Sequence, residues 1–296
     1  MDALELDDAL ADPLAAATFL PVRPRRRRPG FGVALAAFWI TVVALLAIGA
    51  DWLPIPSPTD IDFLAKRAPP SAEHWLGTDN LGRDELSRLI FGARISLTVG
   101  LLAPVIGGTV GGCLGLLAGY FRSRFEAVVV GGVDVLLAFP PLVLALAVTA
   151  YLGQSVLNLV LVLGVLGIPA FTRVARATTL AFAQREFVVA ARALGATHAR
   201  ILVRELLPNV MLPLLAFFLL GIAVTIVVEG ALSFLGLGVP PPAPSWGIMI
   251  GEGRETLDLA PRLAFLPCAV MFATVLSLNL VGDALRALTD PRPGVL

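Results

Sequence analysis

Six long apolar runs constrain the fold of this 296-residue chain more than any other feature. Hydrophobic residues make up 57% of the sequence and charged residues only 15%, a balance that a soluble domain of this length cannot bury. A helix crosses a bilayer with about 20 apolar residues, whereas barrel strands show only short alternating stretches. The predicted fold is therefore an all-α membrane protein. The six predicted transmembrane helices are 31–50, 95–118, 127–150, 156–172, 206–228 and 263–282.

The distribution of arginine predicts the orientation of the chain. If the N-terminus is cytoplasmic, the cytoplasmic segments carry about twice as many arginine and lysine residues as the outer loops. Both termini are therefore predicted to be cytoplasmic. Residues 1–30 are expected to be a disordered tail, and 31–50 an uncleaved first helix rather than a secretory signal. Residues 51–94 are an expected external loop, 95–282 the transmembrane core, and 283–296 a cytoplasmic tail.

A charged segment, EFVVAARALGATHARILVRELLPNV, interrupts the apolar pattern within the predicted cytoplasmic loop 173–205 and its flank. Phe187, Ala190, Ala191 and Leu194 follow helical spacing and predict one apolar stripe. A short helix with such a stripe suits insertion into a partner's groove, but its arginines also suit an anionic membrane surface. The residues alone leave both alternatives open.

Local signals predict where the helices of this segment begin and end. Glu186 suits the N-terminus of the first helix, and Gly195 supplies its stop. Thr197 is predicted to cap a second short helix that runs toward the membrane. Pro208 is expected near the start of the fifth span, where a missing N–H is least costly.

The charged segment resembles the EAA loop of ABC-importer permeases, whose pattern is E-A-A, three residues, G, nine residues, I, one residue and L-P. Ala190, Ala191 and Gly195 match it, as does the Leu-Pro pair that follows. Val189 replaces the motif's glutamate, and Glu205 replaces its isoleucine. The resemblance implies a coupling helix that docks in a cleft of a cytoplasmic ATPase. The residues implied in coupling are Glu186, Phe187, Ala190, Ala191, Arg192, Leu194, Gly195 and Pro208.

Three further stretches, 74–97, 133–146 and 229–250, resemble the peptide, oligopeptide and nickel group of these permeases. With the EAA-like loop, they extend the resemblance over roughly residues 31–290. The resemblance implies a C-type subunit with a type I importer core in the bacterial cytoplasmic membrane. It also implies a second homologous permease in a heterodimer, two cytoplasmic P-loop ATPases and an extracytoplasmic substrate-binding protein.

Two carboxylates and one helix-breaking stretch are candidates for the translocation path. Asp134 is the only charged residue within a predicted span, and Glu229 follows the fifth span, but either could be structural. The stretch SFLGLGVPPPAPSWG breaks helical structure, and such backbone at membrane depth needs protein or a water-filled cavity around it. We expect it to help form the outer gate. The path or gate residues are Asp134, Glu229, Phe234, Gly236 and Gly238.

The stretch GTDNLGRDE, before the second span, has turn formers and carboxylates but lacks the register of a calcium loop. Arg83, Asp84 and Glu85 are instead predicted to make polar contacts at the outer surface. His74 and His198 lie in different loops, so no zinc-ligand spacing exists. No metal site is predicted.

The sequence contains no catalytic or nucleotide-binding motif. Lys66 is the only lysine, so the chain cannot hold a G-x-x-x-x-G-K-[ST] loop. We therefore expect no enzyme activity and no cofactor on this chain, with ATP and Mg²⁺ bound by the partner ATPases. The formal net charge of zero gives no sign of a nucleic-acid partner. Cys113 and Cys268 fall inside apolar runs and are predicted to be small buried hydrophobes.

The predicted function is the import of dipeptides or oligopeptides by alternating access, as the permease subunit of an ATP-driven importer. Nickel chelates and other peptide-like solutes are the alternative cargo. Two other classes of function remain. A secondary transporter would carry several ionisable residues near the membrane midplane. A membrane scaffold or receptor subunit would use the charged loop only to recruit a partner.

Overall fold

The computed structural model describes residues 30–289, and nearly all of the regular structure in this range is helical. Two 3₁₀ turns, Ala50–Trp52 and Phe63–Ala65, lie in the loop before the second long helix. The helices are α1 (Phe31–Gly49), α2 (Glu85–Phe121), α3 (Arg124–Leu137), α4 (Pro141–Leu152), α5 (Val156–Phe182), α6 (Glu186–Ala193), α7 (His198–Phe234), α8 (Trp246–Arg254) and α9 (Arg262–Thr289).

Five of these helices, α1, α2, α5, α7 and α9, are long and apolar enough to cross a membrane. A sixth crossing is formed if α3 and α4 count as one span, bent by 80° at their junction. The prediction of an all-helical membrane protein is thus confirmed. Its six predicted spans correspond to five long helices and one broken third span.

The predicted continuous helix 127–150 is wrong because the chain bends between α3 and α4. Pro140 and Pro141 lack the N–H groups that would continue the ladder of α3, and Phe139 precedes a proline, which disfavours helical backbone there. Pro141 instead opens α4, a first-turn position where proline is well tolerated. The apolar run alone does not show this bend.

Several helices extend beyond their apolar windows. α2 begins at Glu85, where the Asp84 carboxylate accepts a hydrogen bond from the Ser87 N–H at 2.8 Å. α5 continues to Phe182 and α9 to Thr289, so part of the predicted C-terminal tail is helical. The expected disordered N-terminal tail, up to residue 29, and residues 290–296 lie outside the described residues.

Glycines bring α2 and α5 into close backbone contact. A Cβ atom at Gly115 would lie 2.4 Å from the Thr172 carbonyl oxygen, and one at Gly111 would lie 2.6 Å from the Ile168 carbonyl oxygen. Small residues of this kind are typical of membrane helix interfaces, where packing rather than hydrophobicity holds helices together. α2 and α5 therefore form the packed centre of the chain.

The outer helices α1 and α9 present large apolar side chains to the surroundings. Trp39 of α1 donates its indole N–H to the Thr274 hydroxyl of α9 at 3.1 Å, which joins the two helices. Phe38 is 65% exposed and Phe272 is 67% exposed. Such side chains suit contact with lipid tails.

Candidate coupling and translocation surfaces

The charged segment contains one short helix, α6, whose boundaries match the prediction. Glu186 is its first residue, and Gly195 follows its end with a φ of 78°, a conformation that glycine adopts without strain. The Ala196 N–H donates to the Ala191 carbonyl and the Gly195 N–H to the Arg192 carbonyl, both at 3.0 Å. These two bonds form a Schellman cap, so the predicted stop at Gly195 is confirmed.

The second short helix of the segment is not separate, because it is the beginning of α7. Thr197 caps it as predicted, accepting a hydrogen bond from the Arg200 N–H at 3.4 Å. The helical path then runs on from His198, and Pro208 lies in the first turn of its α-helical part, Leu207–Phe234, near the start of the fifth span as predicted. A π-helical turn, Ile201–Leu206, precedes Pro208. This wider turn accommodates a proline that cannot donate a backbone hydrogen bond.

Val188, which lies outside the predicted stripe, holds α6 against the rest of the chain. Val188 is fully buried and packs in one cluster with Ile201 and Leu206 of the π-helical turn. A signal for it exists in the sequence, because FVVAARAL offers two apolar faces. Val188 therefore joins α6 mechanically to α7.

The opposite side of α6 is exposed and carries most of the predicted stripe. Phe187 is 38% exposed and Leu194 is 88% exposed. Val189, at the motif's glutamate position, is 58% exposed, but it lies two residues from Phe187 and therefore on a different side of the helix. We call the exposed stripe of Phe187 and Leu194 the apolar patch. Glu186, Ala190, Arg192, Gly195 and Pro208 are also exposed, and Ala191 is half-buried.

A polar contact ties the beginning of α7 to the end of α2. The Tyr120 hydroxyl lies 2.7 Å from Nδ1 of His198, and the Phe121 ring packs beside the same imidazole. Movement of the α6–α7 junction would therefore also reach α2, the central helix of the chain.

Two ion pairs connect α3 to α5 on a face that the chain leaves open. The Arg173 guanidinium donates to Oδ1 of Asp134 at 2.7 Å, with side chains 61% and 53% exposed. Nε of Arg176 donates to the Glu126 carboxylate at 2.8 Å. Charges within a span are found against protein or water rather than lipid. We call this face, defined by these four residues, the charged face.

Glu229 lies elsewhere, fully buried between α2, α7 and α8. Its carboxylate accepts hydrogen bonds from the hydroxyls of Ser96 at 2.9 Å and Ser233 at 2.6 Å. Ser96 in turn accepts the N–H of Trp246, the first residue of α8, at 3.4 Å. This geometry joins three helices and places Glu229 away from any open surface of the chain.

The helix-breaking stretch runs between the end of α7 at Phe234 and the start of α8 at Trp246. Gly236 is exposed, and its carbonyl accepts a hydrogen bond from the Gln154 side chain at 2.5 Å. Gly238 is buried, and a Cβ there would lie 1.9 Å from the Ser233 hydroxyl. The stretch is therefore open at Gly236 and closely packed at Gly238.

The prediction that Arg83, Asp84 and Glu85 make contacts at the outer surface is wrong, because all three are at least 95% buried within the chain. Arg83 and Arg88 both donate to the Glu252 carboxylate of α8, at 2.9 and 2.6 Å.

The Asp79 carboxylate accepts a hydrogen bond from Nε of Arg83 at 2.6 Å and lies 3.4 Å from Nε of Arg88. We call Asp79, Arg83, Arg88 and Glu252 the loop clamp. It fixes the loop before α2 to the end of α8.

Both cysteines, predicted to be buried, are exposed on the surface of the chain. Membrane-spanning helices present apolar residues outward as well as inward, so an apolar context does not predict burial there. Among the described residues, no group of three or more His, Cys, Asp or Glu side chains could hold a metal ion.

Comparisons with known proteins agree with these features. Residues 111–295 match the family described as "Binding-protein-dependent transport system inner membrane component". The chain is 38% identical over 265 residues to the glutathione transport system permease protein GsiD of Pectobacterium atrosepticum, covering 90% of this chain and 88% of that protein. It is 40% identical over 269 residues to GsiD of Escherichia coli O6:K15:H31, covering 90% and 89%.

A solved structure of the MetNI methionine ABC transporter, in an inward-facing conformation, has a similar fold. Its TM-score is 0.57 at 18% identity, with 69% of this chain and 97% of that chain covered. The family match and the GsiD relatives span most of the sequence. This chain therefore belongs to the family of binding-protein-dependent transport system inner membrane components, the multi-pass permease subunits of ABC importers in the bacterial inner membrane.

Proposed function

We propose that this permease carries a peptide-like solute into the cell, in a complex with a second permease, two P-loop ATPases and a substrate-binding protein. The observation that carries the proposal is α6, a capped helix with an exposed apolar patch, anchored to a membrane span. The names of the GsiD relatives, which are glutathione transport permeases, support a short peptide as cargo. Both chain termini are then cytoplasmic, as the arginine distribution predicts.

Energy enters the chain through α6. Closure of the two ATPases moves their docking clefts, and the apolar patch of Phe187 and Leu194 follows. Val188 passes this movement to the π-helical turn of α7, and the contact between Tyr120 and His198 passes it to α2. To shift the permease almost completely between two states, ATP-bound partners must favour one of them by about 5 kcal/mol.

The solute path follows the charged face. An ion pair that is more than half exposed beside the spans needs water or protein next to it, and a path between two permeases supplies both. The exposed part of the helix-breaking stretch, around Gly236, acts as the outer gate, while Glu229 and the loop clamp hold α8 still behind it. ATP and Mg²⁺ bind to the partner ATPases, because Lys66, the only lysine, lies outside any phosphate-binding motif.

The test is ATP-driven uptake of glutathione by the complete transporter in proteoliposomes. Leu194→Glu places a carboxylate in the apolar patch, so we expect uptake and ATPase association to fall at least about tenfold. Leu64→Glu is the matched control, because Leu64 is 99% exposed in the loop before α2. Normal uptake by Leu194→Glu would refute the coupling role of α6. Uptake by wild-type protein that needs no ATP would refute the importer itself.

A further inference from the structure

The ion pair between Asp134 of α3 and Arg173 of α5 is unusually open to its surroundings. Of the ion pairs between described residues, only this one has both side chains more than half exposed. Arg83 and Asp79 of the loop clamp are at least 93% buried, by contrast. An exposed ion pair contributes little to stability, because water screens both charges. Its two groups can therefore exchange partners with a charged solute at little cost.

Small residues leave space beside this ion pair on both helices. Gly131 precedes Asp134 by one turn of α3, so both residues lie on the same side of that helix. A Cβ atom at Gly131 would have no other atom within 4 Å. On α5, the exposed residues Ala170 and Ala177 lie one turn before and one turn after Arg173. A small polar group can therefore approach both charges of the pair at once.

The geometry of the pair matches a compact zwitterion. Nη2 of Arg173 lies 2.7 Å from Oδ1 of Asp134, so the two charges are in direct contact. In an α-amino acid the ammonium nitrogen and the carboxylate carbon are bonded to one carbon atom and lie about 2.5 Å apart. The two ends of an extended tripeptide are about 10 Å apart. A free α-amino acid group matches the pair, whereas the separated ends of a peptide chain do not.

We propose that Asp134 and Arg173 form a transient subsite for a free α-amino acid head group on the solute. The ammonium of the head group donates to Asp134, and its carboxylate accepts from Arg173 through charge-assisted hydrogen bonds. The inference rests on the proposed function, since it names the part of the peptide-like solute that the charged face recognises. The cargo class is a short peptide that keeps an ammonium and a carboxylate on one carbon atom, as a glutamate joined through its side chain does.

The experiment compares ATP-driven uptake of two isomeric tripeptides in proteoliposomes, both at concentrations that saturate the transporter's binding protein. Glutathione joins its glutamate through the side chain and keeps a free α-amino acid head group. The α-linked peptide of glutamate, cysteine and glycine has the same atoms and charges but lacks this head group. We expect the wild type to import glutathione about fivefold faster, a ratio at the scale of one exposed ion pair. In Asp134→Asn/Arg173→Gln the ratio should fall close to one.

The matched control is Glu126→Gln/Arg176→Gln, which makes the same kind of change in the half-buried second pair of the charged face. It should affect both peptides alike and leave the preference for glutathione in place. The exchanged pair Asp134→Arg/Arg173→Asp keeps one acid and one base in contact, so it should retain most of the preference.

Two results would overturn the head-group subsite while leaving the importer proposal intact. One is an equal loss of uptake for both peptides in Asp134→Asn/Arg173→Gln, because a merely structural pair would act on both alike. The other is a wild type that imports the two isomers at the same rate. Uptake of neither peptide by the wild type, despite normal assembly and ATP hydrolysis, would count against the proposed function itself.

Discussion

Removing the anchor of α6 should separate ATP hydrolysis from transport. Val188→Ala deletes two methyl groups from a fully buried site that packs against Ile201 and Leu206. At about 0.8 kcal/mol for each buried carbon, and with a further term for the cavity left behind, the loss is about 2 kcal/mol. That loss falls on the contact between α6 and α7 rather than on the exposed patch.

Hydrogen exchange measures this loss directly in the purified complex. Because α6 opens locally once its anchor weakens, the amides of residues 186–193 should exchange about 30-fold faster, the factor that about 2 kcal/mol supports. The ATPases still bind through Phe187 and Leu194, so ATP hydrolysis should continue while the number of solute molecules imported per ATP falls.

Val203→Ala is the matched control, because it makes the same chemical change at a 61% exposed position in the π-helical turn. We expect it to change stability by less than about 0.5 kcal/mol. If Val188→Ala left both the exchange rates and the import per ATP unchanged, the mechanical link through Val188 would be refuted.

Three further perturbations test other parts of the molecule. Arg173→Ala leaves the Asp134 carboxylate without its ion-pair partner on the charged face, so uptake should fall by up to about fivefold, the factor that about 1 kcal/mol for an exposed pair supports. The exchanged pair Asp134→Arg/Arg173→Asp should recover part of the uptake, and no recovery would contradict a role for the pair itself. Gly115→Leu forces α2 away from α5, and we expect a markedly lower midpoint of thermal unfolding; an unchanged midpoint would contradict the close packing. Asp79→Ala removes one carboxylate of the loop clamp, which should destabilise the protein by about 3–5 kcal/mol, whereas the exposed control Asp60→Ala should unfold like the wild type.

The sequence predicts the helical class, the position of the spans and the boundaries of α6 well, because hydropathy and capping are local properties. Hydropathy does not predict the bend between α3 and α4, because a hydropathy window averages over Pro140 and Pro141. Nor does it predict the extension of α5 to Phe182, because helices continue past the apolar window that reveals them.

Tertiary contacts account for the remaining differences. The polar stretch around Arg83 is typical of a surface loop, but its partner Glu252 lies far along the chain, and only the fold brings the two together. For the same reason, nothing local distinguishes the buried Glu229 from the exposed Asp134, although both were path candidates. Which face of α6 is exposed also depends on which face α7 covers, and α7 covers the face that carries Val188.

The most direct test of the central claim is photo-cross-linking in intact cells from a photoreactive amino acid placed at Leu194. The same substitution at Phe272, an exposed position on α9, serves as the lipid-facing control. We predict that position 194 captures a P-loop ATPase, identified by mass spectrometry of the cross-linked band, and that position 272 does not. Capture of lipid alone from position 194, under conditions in which the transporter imports its solute, would contradict the account.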